Sequence, residues 1–361
     1  MKSDRLELFK EVAYRIFGYN RLMGTEGHKR AHYEIESLLE QFSCAYTKEV
    51  FTVNRPIPKQ AWIDVKEGRV KAVAYLGSKE IEKEAYIKED YIEGDIALIP
   101  DLTREKALQA QERGAIAIVT YRGENAVRGH IYGNYLGVSI PILSIDGGDL
   151  HKVADFKAKI HVSSVDASLR GANLLMEIGR GPIVYLIAHM DTVQEVYGAL
   201  GNGVSFLLLI FLYQELKNNY NAPYRLRFLI TDGREIGMEG AKFHLSKNPK
   251  HVFYCINLEG VGWHNPCVIY EDGWGYNGER INDLFYRHAE DLKFNVSFCR
   301  ARDRDGDHIP FKEKGVQTLY LSSHPLTITR TVYDNYDAIN WDSVVIWYEV
   351  ILSFLRRFHK L

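Results

Sequence analysis

Ile183-Val184-Tyr185-Leu186-Ile187-Ala188, followed by His189-Met190-Asp191, is the stretch on which the fold turns. Six consecutive apolar residues are the pattern of a strand buried on both faces, as found in parallel sheets covered by helices. Three further runs repeat the theme. Leu226, Phe228 and Ile230 alternate with Arg225 and Arg227 before Thr231-Asp232-Gly233-Arg234-Glu235, residues 252–258 run largely apolar into Glu259, and residues 316–321 precede the loop that carries Arg330. In open α/β sheets the ligand crevice lies outside the carboxyl ends of the strands, so polar residues up to about 140 positions apart are expected to converge there.

Outward from these strands the pattern changes twice. Leu6, Phe9, Val12 and Ile16, then Ala31, Ile35, Leu38 and Leu39, recur at near-helical spacing. From about Lys59 short strands take over, at 70–76 and 96–99. Thr103 then caps a helix that Gly114 ends, residues 115–121 give the next strand, and residues 140–145 close the segment. The expected organisation is one α/β domain, residues 1–58 and 166–361, interrupted by a smaller α/β domain, residues 59–165. Its central sheet is expected to be mixed but mainly parallel, with helices on both faces. The run 206–212 is apolar on every side, the mark of a buried helix, and is shorter than the roughly twenty residues a bilayer span needs.

With 361 residues and 46% hydrophobic content the chain can build substantial cores, and a net charge of −2 gives no reason to expect nucleic acid or an anionic membrane as partner. Cys44, Cys255, Cys267 and Cys299 form no CxxC pair and read as buried or reduced thiols. Met1-Lys2-Ser3-Asp4-Arg5 leads into an amphipathic helix, not an apolar leader, from which a cytoplasmic location is expected. Asp303-x-Asp305-x-Asp307 superficially resembles a calcium loop, but its glycine, Gly306, stands at the fourth place where the sixth is required.

The order HMD (189–191), GALGN (198–202) before an apolar helix, TDGREIG (231–237), NLEGVG (257–262), DHIPF (307–311) and RTVYDNYD (330–337) resembles the co-catalytic zinc aminopeptidase family, whose relatives include bacterial leucyl aminopeptidases, glutamate carboxypeptidase and the transferrin receptor. The similarity extends from Asn20-Arg21-Leu22-Met23-Gly24-Thr25 to the last helix, and residues 59–165 resemble the protease-associated domain that many members carry as an insertion. The resemblance implies that His189 binds one zinc and that Asp191 orients its imidazole. It implies a bridging aspartate at the place of Gly201, a general base at the place of Arg234, a zinc ligand at Glu235, another at Glu259, and a final histidine ligand at the place of Arg330. Three of these positions therefore carry residues unable to do the family's work. A two-metal site needs a carboxylate that holds the ions about 3.5–4 Å apart, and a guanidinium cannot take a proton from water.

Retained carboxylates at Asp191, Glu235 and Glu259 would repel one another, so Arg234 and Arg330 are expected to act as counterions in forked pairs with Glu235 or Glu259. The opposing possibility is that both arginines point outward. Asp232, Asp307 and His308 are expected at the pocket, with His308 or Asp232 as conceivable substitute ligands; the plainer reading of His308 is polar surface. Three functions remain open: a non-catalytic member that binds a peptide, a protein or another copy of the chain, with no cofactor; an active zinc aminopeptidase or carboxypeptidase with a rearranged site; and an assembly role in which side chains close the pocket.

Overall fold

The computed structural model describes residues 1–121, 136–247, 251–294, 296–302 and 304–357, so Asp303 of the calcium-like stretch lies outside the described residues. The chain opens with helices α1 (Ser3–Ile16) and α2 (Glu26–Gln41), the second capped by the Thr25 hydroxyl, which accepts the His28 N–H at 3.3 Å. A long strand β1 (Thr47–Val65) follows, then β2 (Gly68–Ala74), β3 (Ile81–Lys88), β4 (Ile96–Pro100), α3 (Arg104–Glu112), β5 (Ala117–Tyr121), β6 (Ile142–Ile145) and α4 (Leu150–Val153). A second long strand, β7 (Lys157–Gly179), runs back antiparallel to β1, from Asp64↔Lys159 to Thr47↔Leu175. The remaining elements are β8 (Ile183–His189), α5 (Val204–Leu216), β9 (Arg225–Thr231), α6 (Glu239–Lys247), β10 (Val252–Leu258), β11 (Pro266–Asp272), β12 (Gly275–Tyr276), α7 (Glu279–Asp291), β13 (Ser297–Ala301), α8 (Ile309–Lys312), β14 (Gln317–Ser323) and α9 (Trp341–Arg357).

The strands run β1-β2-β6-β5-β4-β3-β7-β9-β8-β10-β14-β11-β12 across one sheet, with β13 on β11. Because β1 pairs with β7 as well as β2, the first seven strands close on themselves. The breaks anticipated at 58/59 and 165/166 fall inside β1 and β7, close to a register shift between Pro58 and Gln60. Beyond β7 the pairs β9–β8, β8–β10 and β10–β14 are parallel, giving the mixed α/β sheet that the apolar runs require.

Alternation along β8 explains why no polar residue interrupts it. Val184, Leu186 and Ala188 pack into the large core with α5 and α9, whereas Tyr185 and Ile187 pack with Ala241, Leu245 and Phe311 of α6 and α8. The apolar stretch Ala199–Leu216 is 83% buried within the protein, the behaviour of a core helix. One cysteine expectation is overturned: Cys267 and Cys299 form a disulfide, because β13 pairs with β11 and brings residues 32 apart in sequence alongside one another. Cys44 and Cys255 are free and buried.

Candidate functional site

The site gathers at the carboxyl ends of β8, β9, β10 and β14. β8 ends on His189, β9 feeds Arg234 and Glu235, β10 is followed by Glu259, and the irregular turn before α5 contributes Gly201. Each of the side chains His189, Asp191, Arg234, Glu235 and Glu259 is buried. Burying so many charges is costly unless they pair and hydrogen-bond.

Arg234 does most of the pairing. Its Nη1 donates to Glu235 Oε2 at 3.0 Å and its Nη2 to Glu259 Oε1 at 2.9 Å, so one guanidinium spans two carboxylates in place of forking onto one. Nη2 also meets the Asp305 carboxylate and donates to the Asp305 carbonyl at 3.1 Å. Burial opposes the charge on Arg234, but Asp305, Glu235 and Glu259 outweigh it and hold the guanidinium firmly protonated. Burial likewise works against ionising Glu235 and Glu259, and the arginine beside them overrides it, keeping both carboxyls below the usual range. Arg330 is looser. It is 29% exposed, with Nη2 at 3.4 Å from Glu235 Oε2 and 3.9 Å from Asp305 Oδ1.

His189 Nδ1 lies 3.0 Å from the Asp191 carbonyl and 3.6 Å from its carboxylate, and Nε2 lies 3.9 Å from Glu259 Oε1. Burial disfavours the imidazolium, yet Asp191 and Glu259 push it up to about 10. The Asp191 carboxylate is spent elsewhere: it accepts the Arg234 N–H at 3.0 Å and the Glu235 N–H at 2.9 Å, which fixes the backbone that presents those two side chains.

Gly201 sits under a buried aspartate. Asp334 accepts the N–H groups of Leu200 at 2.7 Å and Gly201 at 3.1 Å. A Cβ at Gly201 would come within 3.1 Å of Asp334 Oδ2 and 3.3 Å of Thr329 Cγ2, a tight fit. Burial pushes the Asp334 carboxyl up to about 6. Gly201, Arg234, Glu235, Glu259, Arg304, Asp305, Thr329 and Arg330 together leave a cavity of about 20 Å³, room for roughly one water.

Asp232, Asp307 and His308 do not line that cavity. Asp232 turns to α2, where His28 and His32 meet its carboxylate. Asp307 bonds the Thr231 hydroxyl, and burial pushes its carboxyl up to about 7. His308 is fully buried, with Nε2 at 2.8 Å from Asp272 Oδ2, so it is not polar surface. Three lining residues, Arg304, Asp305 and Thr329, are not singled out by the sequence motifs. For Asp305 a signal exists beyond the calcium-like spacing, since an aspartate in a loop facing two arginines is a natural pairing partner.

The comparisons with known proteins agree with this architecture. Aminopeptidase YwaD of Bacillus subtilis is 25% identical over 240 residues, which cover 62% of this chain and 52% of that protein. A vacuolar membrane protease of Candida tropicalis is 28% identical over 209 residues, 55% of this chain and 22% of that one, so the chain spans about half the length of the first relative and about a fifth of the second. Among solved structures, a zinc aminopeptidase from Bacillus subtilis superposes with a TM-score of 0.76 at 20% identity, over 96% of this chain and 93% of that one. An aminopeptidase from an Aneurinibacillus strain gives 0.75 at 17% identity, over 98% and 93%. Residues 173–355, just over half of the 361, match Peptidase family M28, and the chain belongs to that family.

Proposed function

We propose that this M28 member does not hydrolyse peptides with a zinc pair and acts instead by binding or assembly. The observation that carries the reading is the Arg234 guanidinium seated between Glu235 and Glu259. A cation that cannot leave or give up its proton stands among the acids that would otherwise hold ions. Tested against a co-catalytic zinc pair, the donor set does not fit: Gly201 offers no bridging carboxylate, Arg330 offers no ligand, and no base stands at position 234.

A cavity of about 20 Å³ has no space for a peptide, which favours ligand binding outside it. A groove of about 480 Å³ runs between residues 58–62, Arg69, residues 71–74 and residues 194–195, walled by Trp62, Arg69, Lys71 and Glu195. Its mix of an indole ring, cations and an acid suits a peptide or protein segment, including one from a second copy of the chain. Residues 59–165, with their resemblance to a protease-associated domain, supply most of these walls. Neither nucleic acid nor a membrane belongs to this reading, and a cytoplasmic location remains part of it, although the Cys267–Cys299 disulfide is of a kind more usual in oxidising compartments.

The test is turnover. The full chain, stripped with chelator and reloaded with zinc or cobalt, is assayed on aminoacyl p-nitroanilides; release no faster than the protein-free blank is expected. Metal-dependent hydrolysis that disappears in Glu235→Gln would sink the proposal. Combined Gly201→Asp, Arg234→Glu and Arg330→His is expected to add two zinc equivalents where each single change adds none. Gly201→Asp needs Asp334 and Thr329 to give way by a few tenths of an ångström.

A further inference from the structure

Away from that cavity, three side chains converge without a role in it. His28 and His32 stand one helical turn apart on α2, which places both rings on one face, 4.7 Å apart between centroids and edge to face. Asp232, just past β9, completes the group. His28 Nε2 is 2.8 Å and His32 Nε2 3.2 Å from the same oxygen, Asp232 Oδ2, and the three donor atoms lie within 4.8 Å of one another. All three side chains are buried.

Hydrogen bonding alone accounts for this arrangement poorly. Asp232 Oδ2 also accepts the Ala172 N–H at 3.0 Å, so with both imidazoles protonated at Nε2 three N–H groups would crowd one sp² oxygen, while the Gly233 N–H reaches Oδ1 at 2.9 Å. An oxygen so oversubscribed is relieved if the two imidazoles turn lone pairs, not protons, toward it and share a cation with it. Two features fit that role. The Ala172 and Gly233 N–H groups pin the carboxylate, as partners behind metal ligands do. His32 Nδ1 is buried with Glu36 Oε1 4.0 Å away, beyond hydrogen-bond range, so Nε2 is the ring atom that the fold engages. Gly171 keeps space beside the group: a Cβ there would come within 2.8 Å of Asp232 Oδ2.

We propose that His28, His32 and Asp232 form a structural zinc site, separate from the cavity at Arg234, that fastens α2 to the end of β9. Two imidazoles and one carboxylate are a donor set suited to zinc, and the site needs only a fourth, small ligand such as water. Burial of all three protein ligands argues for holding the fold together.

The experiment counts metal. The full chain is stripped with chelator, titrated with zinc against a chromogenic competitor and analysed for bound metal. One tight equivalent is expected, together with a rise in melting temperature on adding zinc. The equivalent should persist in Glu235→Gln with Glu259→Gln and be lost in His32→Ala or Asp232→Asn. X-ray absorption of the zinc-loaded native chain, which needs no variant to fold, should show two imidazole ligands. No bound equivalent and no thermal shift overturn the site, as does an equivalent that survives His28→Ala with His32→Ala or a zinc shell containing no imidazole. None of these outcomes bears on peptide turnover, so this site and the proposed function stand or fall separately.

Discussion

Two charge clusters are fed by the same four residues past β9, Asp232 to Glu235, and they solve the problem of buried acids differently. Arg234 and Glu235 enter a cluster whose positive charge is carried mainly by guanidinium groups, whereas Asp232 enters one whose positive partners are imidazoles. A guanidinium can be neither deprotonated nor exchanged; an imidazole can give its proton up and take a metal. The first cluster is therefore held at its guanidinium groups, with His189 as its titratable member, and the second is open to exchange.

The largest expected effect breaks the first cluster. Arg234→Met strands Glu235, Glu259 and Asp305 without their main counterion, and unfolding by denaturant should show a loss of about 3–5 kcal/mol. Adding Glu235→Gln and Glu259→Gln should recover part of it; a cost below about 1 kcal/mol for the single change would mean that the arginine is no counterion. Alkaline pH tests the one titratable cation in that cluster. His189 rises from near 6.5 unfolded to about 10 folded, so its contribution is whole below about pH 6.5 and is lost as pH climbs through about 10. Melting temperature should therefore fall between pH 7 and 10, and His189→Asn should flatten the curve; parallel curves for both proteins would refute the linkage. The smallest effect belongs to Arg330. It is partly exposed and reaches Glu235 only at 3.4 Å, so Arg330→Ala should cost about 0–1 kcal/mol, and a larger loss would move it into the first cluster beside Arg234.

Much of this is legible in the sequence. Unbroken apolar runs ending in polar residues locate β8, β9 and β10 and the gathering of His189, Glu235 and Glu259, because parallel strands must deliver their ends to one edge. Asp232 departs from its expected place for a local reason: successive side chains past a strand point to alternate faces, so Thr231 turns toward Asp307 while Asp232 turns toward α2. His28 and His32 give no warning, since a histidine pair on an amphipathic helix declares nothing until a distant aspartate is packed against it. His308 reads as surface because it flanks a short loop, yet Asp272 draws it fully inside. Cys267 and Cys299 can be paired only once β13 is known to lie on β11.

The long ladder of β1 against β7 has a consequence for how this protein could be altered. The chain departs along one strand and returns along its neighbour, so the two ends of the excursion are already held side by side. Changing loop length within that excursion costs closure entropy only slowly, whereas removing its strands would uncover Ile63 of β1 and Ile160 and Val162 of β7, which share a core with Val70, Ile87 and Ile96. A graft at that junction would therefore have to bring its own apolar face for β1 and β7 and replace Val73 and Leu76, which cluster with Val193 and Val196 and with Leu22 and Met23.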